Sequence, residues 1–423
     1  MVNIAPFKAL RYRNGGPDLS RLVCPPYDVI SESEQHDLSG LSPHNFVHVE
    51  LPLGDPLARA ESAAACLNRW KHEKVLEKDD TPAFYILEST FKAPGGEKLY
   101  RRVGFFCALG LEEPGKGSIH PHERTLPKPK AERLKMLETL KTNTSPIFGF
   151  FLDAENLWLK SARDWMQEKP VARAREISGV EHRLWAVTDP VRIKTLSEFL
   201  TSKELFIADG HHRYEVGWAY HQERMKDARG DRAGDRILAY LCAMEDPGLL
   251  LLPIHRFVRS PLPQNEWNAR IKASFEVRPA DSLDNLMKSL SEEKARPGRR
   301  PSLGLYGWGQ YYFLQLKKDA DPSVLKERVP EPLWGLDAVV LEAYLISETR
   351  DPASHPGWEI AFTNQPGELT SRVRSEPGTM GFLLAPTGVD EVAAVARTGQ
   401  VMPPKTTFFY PKAPAGFVLY ELA

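Results

Sequence analysis

The chain has 423 residues, 42% hydrophobic and 26% charged, with a formal net charge of -1. That length predicts two or three domains of a soluble globular protein, and the near-zero charge removes any general electrostatic reason to bind nucleic acid or an acidic membrane. No apolar run reaches membrane-spanning length and Met1 through Arg13 holds no signal-peptide core, so no membrane partner is expected and the chain is placed in the cytoplasm.

In chain order, Cys24-Pro25-Pro26-Tyr27-Asp28-Val29-Ile30 is a proline-fixed path that presents Tyr27 and Asp28, followed by a capping box of Ser31 and Glu34. Residues 58–77, rich in Ala, Leu, Lys and Glu, predict a helix, and 83–91 with 99–111 predict a hairpin turned by Pro94-Gly95-Gly96. Next comes Ile119-His120-Pro121-His122-Glu123-Arg124-Thr125, whose closely spaced imidazoles suit a metal or a phosphate as well as an ordinary polar loop. A helix over 130–141 and a strand over 147–152 follow. Cys24, Cys66, Cys107 and Cys242 lie far apart without Cys-x-x-Cys spacing, which suits a reducing compartment.

The organising stretch is Asp209-Gly210-His211-His212-Arg213 with Glu215. Leu205 to Ala208 reads as a buried strand, and Tyr214, Trp218, His221 and Met225 recur at helical spacing. A tight turn therefore joins a strand end to a helix start, where free N–H groups and the helix dipole favour phosphate or carboxylate. Arg213 adds a planar fork and the two histidines add donors and acceptors. The same Asp-Gly pair also reads as an ordinary helix cap.

Residues 237–244 and 249–253 predict a strand pair ended by His255 and Arg256, which read as an anion contact or as ordinary packing or solvent-facing residues. Ser260-Pro261-Leu262-Pro263 marks a boundary by composition. Beyond it, helices are predicted over 265–275 and 282–292, a hairpin over 303–316 and a largely helical 321–347. Met402 to Lys412 reads as a closing strand with solvated lysines near its ends; Lys405 doubles as a phosphate contact.

Four motifs in this order, Cys-Pro-Pro-Tyr-Asp-Val-Ile, His-Pro-His-Glu-Arg-Thr, Asp-Gly-His-His-Arg-Tyr-Glu and Met-Pro-Pro-Lys-Thr-Thr-x-Phe-Tyr-Pro-Lys, resemble the bacterial and archaeal family called domain of unknown function 1015. The resemblance runs from Pro6 to about Leu422. Locally, the Asp-Gly-His-His-Arg turn resembles the signature of the free-serine kinases of the ParB/sulfiredoxin-like superfamily. That likeness implies Asp209 as catalytic acid/base or Mg²⁺ ligand and Gly210, His211, His212 and Arg213 as the phosphate cradle. It implies ATP or ADP as nucleotide and a small hydroxy amino acid as partner. The separate catalytic Glu of those kinases has three candidates here, Glu32, Glu50 and Glu123.

The expected protein is thus α+β, mixed sheets with helices, with a ParB/sulfiredoxin-like nucleotide-binding core over 1–260 and a C-terminal α/β region over 261–423. The 402–412 strand packs back on the first region. The expected function is phosphoryl transfer between a nucleotide and serine or a similar acceptor. Asp209, Glu123 and His120 are the catalytic candidates; Gly210, His211, His212, Arg213 and Lys405 hold phosphates; Tyr27, Asp28, His122, Thr125, Glu215, His255 and Arg256 form the substrate wall. Two alternatives use the same residues. One is a phosphatase with a divalent metal on His120, His122, His211 and His212; the other is a non-catalytic nucleotide-binding regulator, without the basic helix-turn-helix that DNA binding would need.

Overall fold

A computed structural model describes residues 1–13, 16–123, 125, 127–226, 234–347 and 358–422. The fold is α+β, as expected, in two compact units: Met1–Pro121, Thr125–Leu250 and Phe409–Ala423 form the first, His122–Arg124 and Leu251–Phe408 the second. The Ser260-to-Pro263 stretch lies inside the second unit, where Pro263 precedes the helix Gln264–Ser274. Its prolines start a helix there.

The first unit is built on a nine-stranded mixed sheet among the described residues. From one edge its order is Ile119–His120, Leu205–Asp209, Ile147–Phe151, Arg236–Ala243, Leu99–Gly110, Phe84–Lys92, Glu181–Val187 and Ala172–Arg175, with Ile4–Ala5 on Leu99–Gly110. The predicted hairpin is present, Tyr85 opposite Phe106 through Lys92 opposite Leu99. The predicted pairing of 237–244 with 249–253 is not: Arg236–Ala243 lies between Leu99–Gly110 and Ile147–Phe151. Its central position explains the unbroken apolar run, since both faces are buried.

Alternation along these strands sorts the side chains. Phe105, Cys107, Ile147, Phe151, Leu241 and Ile207 face one core, covered by Trp158 and Ala162 of Leu157–Trp165 and by Leu196 and Leu200 of Pro190–Thr201. The intervening residues include Phe148, Phe150 and Tyr240, and Phe409 of the returning C-terminal segment packs on Phe148 and Phe150 at 5.9 and 5.8 Å between ring centroids. Cys24, Cys66, Cys107 and Cys242 are all buried free thiols.

The expected strand over 402–412 reduces to Phe409–Tyr410. Pro403, Pro404 and Pro411 offer no N–H for a ladder, and Lys405 takes a left-handed φ of +60°. The helix His211–Lys226 is also turned differently from the spacing argument. Arg213, Tyr214, Val216, Gly217 and Tyr220 are buried, whereas Met225 is 59% exposed.

The second unit holds a six-stranded antiparallel sheet among the described residues, ordered Phe275–Ala280, Gln310–Leu316, Ser302–Gly307, Thr379–Leu383, His255–Arg259 and Glu359–Thr363. His255 and Arg256 open a strand here; they do not close one. Leu286 and Leu290 of Leu283–Lys294, with Leu369 and Val373 of Pro366–Ser375, pack on Phe257, Phe313 and Leu383. No helix among the described residues is long and apolar enough to cross a membrane.

Candidate active site

The strand Leu205–Asp209 ends in an irregularity. Ile207 sits opposite Gly149, but Asp209 sits opposite Phe148, so the register shifts between them. Such a shift re-aims the last side chain. Gly210 then takes φ +86°, which only glycine adopts without strain, and its carbonyl accepts the N–H of Tyr214 to start the helix. A Cβ on Gly210 would stand 3.0 Å from Arg213 Nε and 3.1 Å from its Cζ. Gly210→Ala is therefore expected to destabilise the protein by about 1–2 kcal/mol from backbone strain alone and to displace the guanidinium, readable in denaturant melts.

Arg213 and Asp209 face each other across one helical turn. Arg213 Nη2 donates to Asp209 Oδ2 at 2.6 Å, Nη1 donates to the Pro146 carbonyl, and Nη2 stands 3.7 Å from Asp28 Oδ2. The other oxygen, Asp209 Oδ1, accepts from Lys412 Nζ. Lys412 is in turn held by its neighbour, because the Pro411 carbonyl accepts from the buried Arg102 at 2.8 Å. That guanidinium lies between the rings of Phe148 and Tyr240, 4.7 and 5.5 Å from their centroids.

These contacts separate two carboxylates. Burial alone would raise Asp209, but Lys412 and Arg213 outweigh it and bring its pKa to about 2. Asp28 moves the other way, raised by desolvation and by the Asp209 charge beside it. Despite burial, Arg213 is held firmly cationic by Asp28 and Asp209. Burial pushes His212 down, against the pull of Glu215 and Asp28, so a neutral imidazole stands in the first turn. One turn on, Glu215 Oε2 accepts from Thr125 Oγ1 at 2.7 Å and Lys130 Nζ at 2.8 Å.

A cleft beside this cluster is lined by Tyr27, Arg133, Thr142, Ser145 and Arg213. Arg133 stacks on Tyr27, 3.1 Å from the ring centroid. Glu50 is fully buried; its Oε1 accepts from the Tyr27 N–H at 3.3 Å and the Ser145 hydroxyl at 2.8 Å.

The structure therefore brings together Asp209, Gly210, Arg213, Asp28 and Tyr27, and places Thr125 and Glu215 on one another. His120 makes other contacts, with Glu204 at 3.2 Å and stacked on Phe206 at 5.3 Å. His122, Glu123, Lys405, His255 and Arg256 belong to the second unit. There His122 Nε2 meets Thr407 Oγ1 at 2.9 Å, and Glu123 bridges to Met402. His255 is a neutral core residue, its pKa pushed down to about 4 by burial and by Arg256 while Nδ1 accepts the Leu384 N–H at 3.2 Å. Arg256 donates to backbone carbonyls of Ile254 and Lys405, and burial lowers it to about 10. Arg124 lies outside the described residues. Sequence reasoning chose Lys405 and left Lys412 as solvated, although both end the same motif; it passed over Lys130 and Arg133 without any signal.

A model of one protein family matches residues 4–339, described as "Protein of unknown function (DUF1015)". The chain belongs to that family. No curated protein matches it. Among solved structures it is similar to a conserved hypothetical protein from Pyrococcus furiosus, at TM-score 0.37 and 13% identity over 75% of this chain and 95% of that one. A substituted free serine kinase in complex with ADP matches at TM-score 0.37 and 12% identity, over 70% of this chain and 86% of that one. SbnI with a C-terminal truncation, from Staphylococcus aureus, matches at 0.35 and 10%, over 71% and 82%. Likeness at this level assigns this DUF1015 protein neither substrate nor reaction.

The kinase-like motif implies magnesium on Asp209. Both oxygens of that carboxylate already meet cations, so the residues present do not suit a divalent ion there. Among the described residues no group of three or more His, Cys, Asp or Glu is placed to hold a metal, which leaves the four-histidine centre of the phosphatase alternative without support.

Proposed function

We propose that this chain is a small-molecule phosphotransferase that moves a phosphoryl group between a nucleotide and a hydroxy amino acid such as serine. The observation that carries the reading is Asp209 clamped between Arg213 and Lys412 at the first turn of His211–Lys226. Two cations on the two oxygens of one carboxylate, at the positive end of a helix, form a cationic donor array suited to a phosphate. The Asp-Gly-His-His-Arg likeness to the free-serine kinases supplies the donor and acceptor classes.

The roles follow from charge. Asp209, held near pKa 2, is too weak a base to take a proton from a hydroxyl at neutral pH; it orients Arg213 and Lys412. Asp28, with its raised pKa and partial exposure, is the better base. In the forward direction the acceptor hydroxyl oxygen bonds to the terminal phosphorus as the phosphorus–oxygen bond to the nucleotide breaks. The hydroxyl proton passes to Asp28, and the nucleotide leaves one phosphoryl group shorter. Arg213, Lys412 and the neutral His212 hold the phosphate oxygens. Magnesium enters as part of the nucleotide substrate.

Lys412→Met is expected to weaken ADP or ATP binding about tenfold or more in calorimetric titration, because one charge-assisted contact is lost. Unchanged affinity would remove Lys412, and with it the phosphate array, from the reading. Nucleotide binding without any transfer would leave the regulatory alternative.

A further inference from the structure

Glu50 poses an unsolved problem of charge. Its side chain is fully buried, Oε1 is engaged by Tyr27 and Ser145, and Oε2 has no hydrogen-bond partner among the described residues. A buried carboxylate oxygen without a donor is costly, and a ligand's N–H would satisfy it. Glu50 lines a cleft together with Arg59, Arg133, Lys135 and Met136. Arg133 and Met136 also line the cleft that reaches Tyr27, Ser145 and Arg213, so the two clefts adjoin. Arg133 itself rests on the Tyr27 ring and has no ion-pair partner among the described residues. A carboxylate oxygen without a donor and a guanidinium without an ion-pair partner, among the described residues, thus line one cleft beside Arg213.

We propose that Glu50 and Arg133 form an α-amino-acid subsite, with the ligand's ammonium on Glu50 Oε2 and its carboxylate on the Arg133 guanidinium. A zwitterion satisfies both groups at once and brings no net charge into the cleft, which neither a simple anion nor a simple amine does. The carboxylate pairs with the planar fork of arginine, and stacking on Tyr27 fixes that fork's orientation. The acceptor's side-chain hydroxyl then extends toward Arg213 and Asp28. This deepens the phosphotransferase reading by naming what distinguishes the acceptor, and it rests on that reading only for the fate of the hydroxyl.

The test is calorimetric titration of the full chain with L-serine, with L-glycerate, in which a hydroxyl replaces the ammonium, and with ethanolamine, which lacks the carboxylate. L-serine is expected to bind about ten- to a hundredfold more tightly than either analogue. Glu50→Gln, which keeps the shape and removes the charge, is expected to bind L-serine no better than wild type binds L-glycerate. Arg133→Gln, on the half-exposed side of the cleft, is expected to reduce L-serine affinity to that of ethanolamine. ADP affinity stays unchanged in both, which reports an intact fold. The proposal is overturned if wild type binds L-serine no better than the analogues, or if both variants bind it as wild type does. It is equally overturned if Glu50→Gln lowers kcat while L-serine affinity holds, the signature of a base. Serine binding that depends on Glu50 without any phosphoryl transfer upholds the subsite and sinks the phosphotransferase reading. Transfer to serine with KM unmoved by either variant does the reverse.

Discussion

Asp209→Asn is expected to cost about 2 kcal/mol of stability at neutral pH, and that cost is expected to vanish in acid. The carboxylate lies between Lys412 and Arg213, both largely buried, so removing its charge takes from both cations the counter-ion they share. Its pKa falls on folding from the ordinary 3.8 to about 2, a difference worth about 2 kcal/mol. The folded value is depressed, so the ionised group stabilises the protein fully above about pH 4. That contribution is lost as pH falls through about 2. Wild type and Asp209→Asn should differ by the full amount at pH 5 to 7 and converge between pH 4 and 2. Denaturant titrations across this range measure the gap. A pH-independent gap would mean that Asp209 acts through shape and not through charge.

Asp28→Asn is expected to lower kcat by about 10²–10⁴ while leaving nucleotide affinity within a few-fold. Asp28 is near enough to Arg213 to feel it, at 3.7 Å, yet 36% exposed, so a proton taken from an acceptor can reach water. Its pKa lies above the usual carboxylate range because partial desolvation and Asp209 both oppose its ionisation. Only the deprotonated form accepts a proton, so the wild-type rate should rise with pH through that raised value and then level. The Asn variant should lose this acidic limb. A variant that keeps the limb at reduced amplitude would assign the base elsewhere.

Local order was legible in the sequence where the pattern itself is local. The Leu205–Asp209 strand, the helix start at His211, the hairpin and the Ser31/Glu34 capping box all depend on neighbours within a few residues, and all are present. The site's decisive contact is not of that kind. Lys412 and Asp209 are 203 residues apart, and no periodicity connects them. Lys405 and Lys412 close the same motif and look alike as residues. What separates them is that Pro403 and Pro404 with the left-handed Lys405 make a turn in the second unit, whereas Phe409 onward returns to the first. His255 stayed open between packing and an anion contact for a related reason, since a histidine beside an arginine at a strand end gives no sign of whether the imidazole meets solvent or, as here, a buried sheet. The helix face went astray because Arg213 is buried by its ion pairs, which a count of apolar spacings cannot register.

The most direct measurement is a phosphorus NMR time course with the full-length protein, L-serine, magnesium and ADP or ATP. The expected result is a growing O-phosphoserine resonance matched one for one by loss of the nucleotide's terminal phosphate. It should grow about 10²–10⁴-fold more slowly in Asp28→Asn. Inorganic phosphate appearing in place of O-phosphoserine, or nucleotide left intact beside a bound protein, would contradict phosphoryl transfer at the Asp209–Arg213–Lys412 cluster.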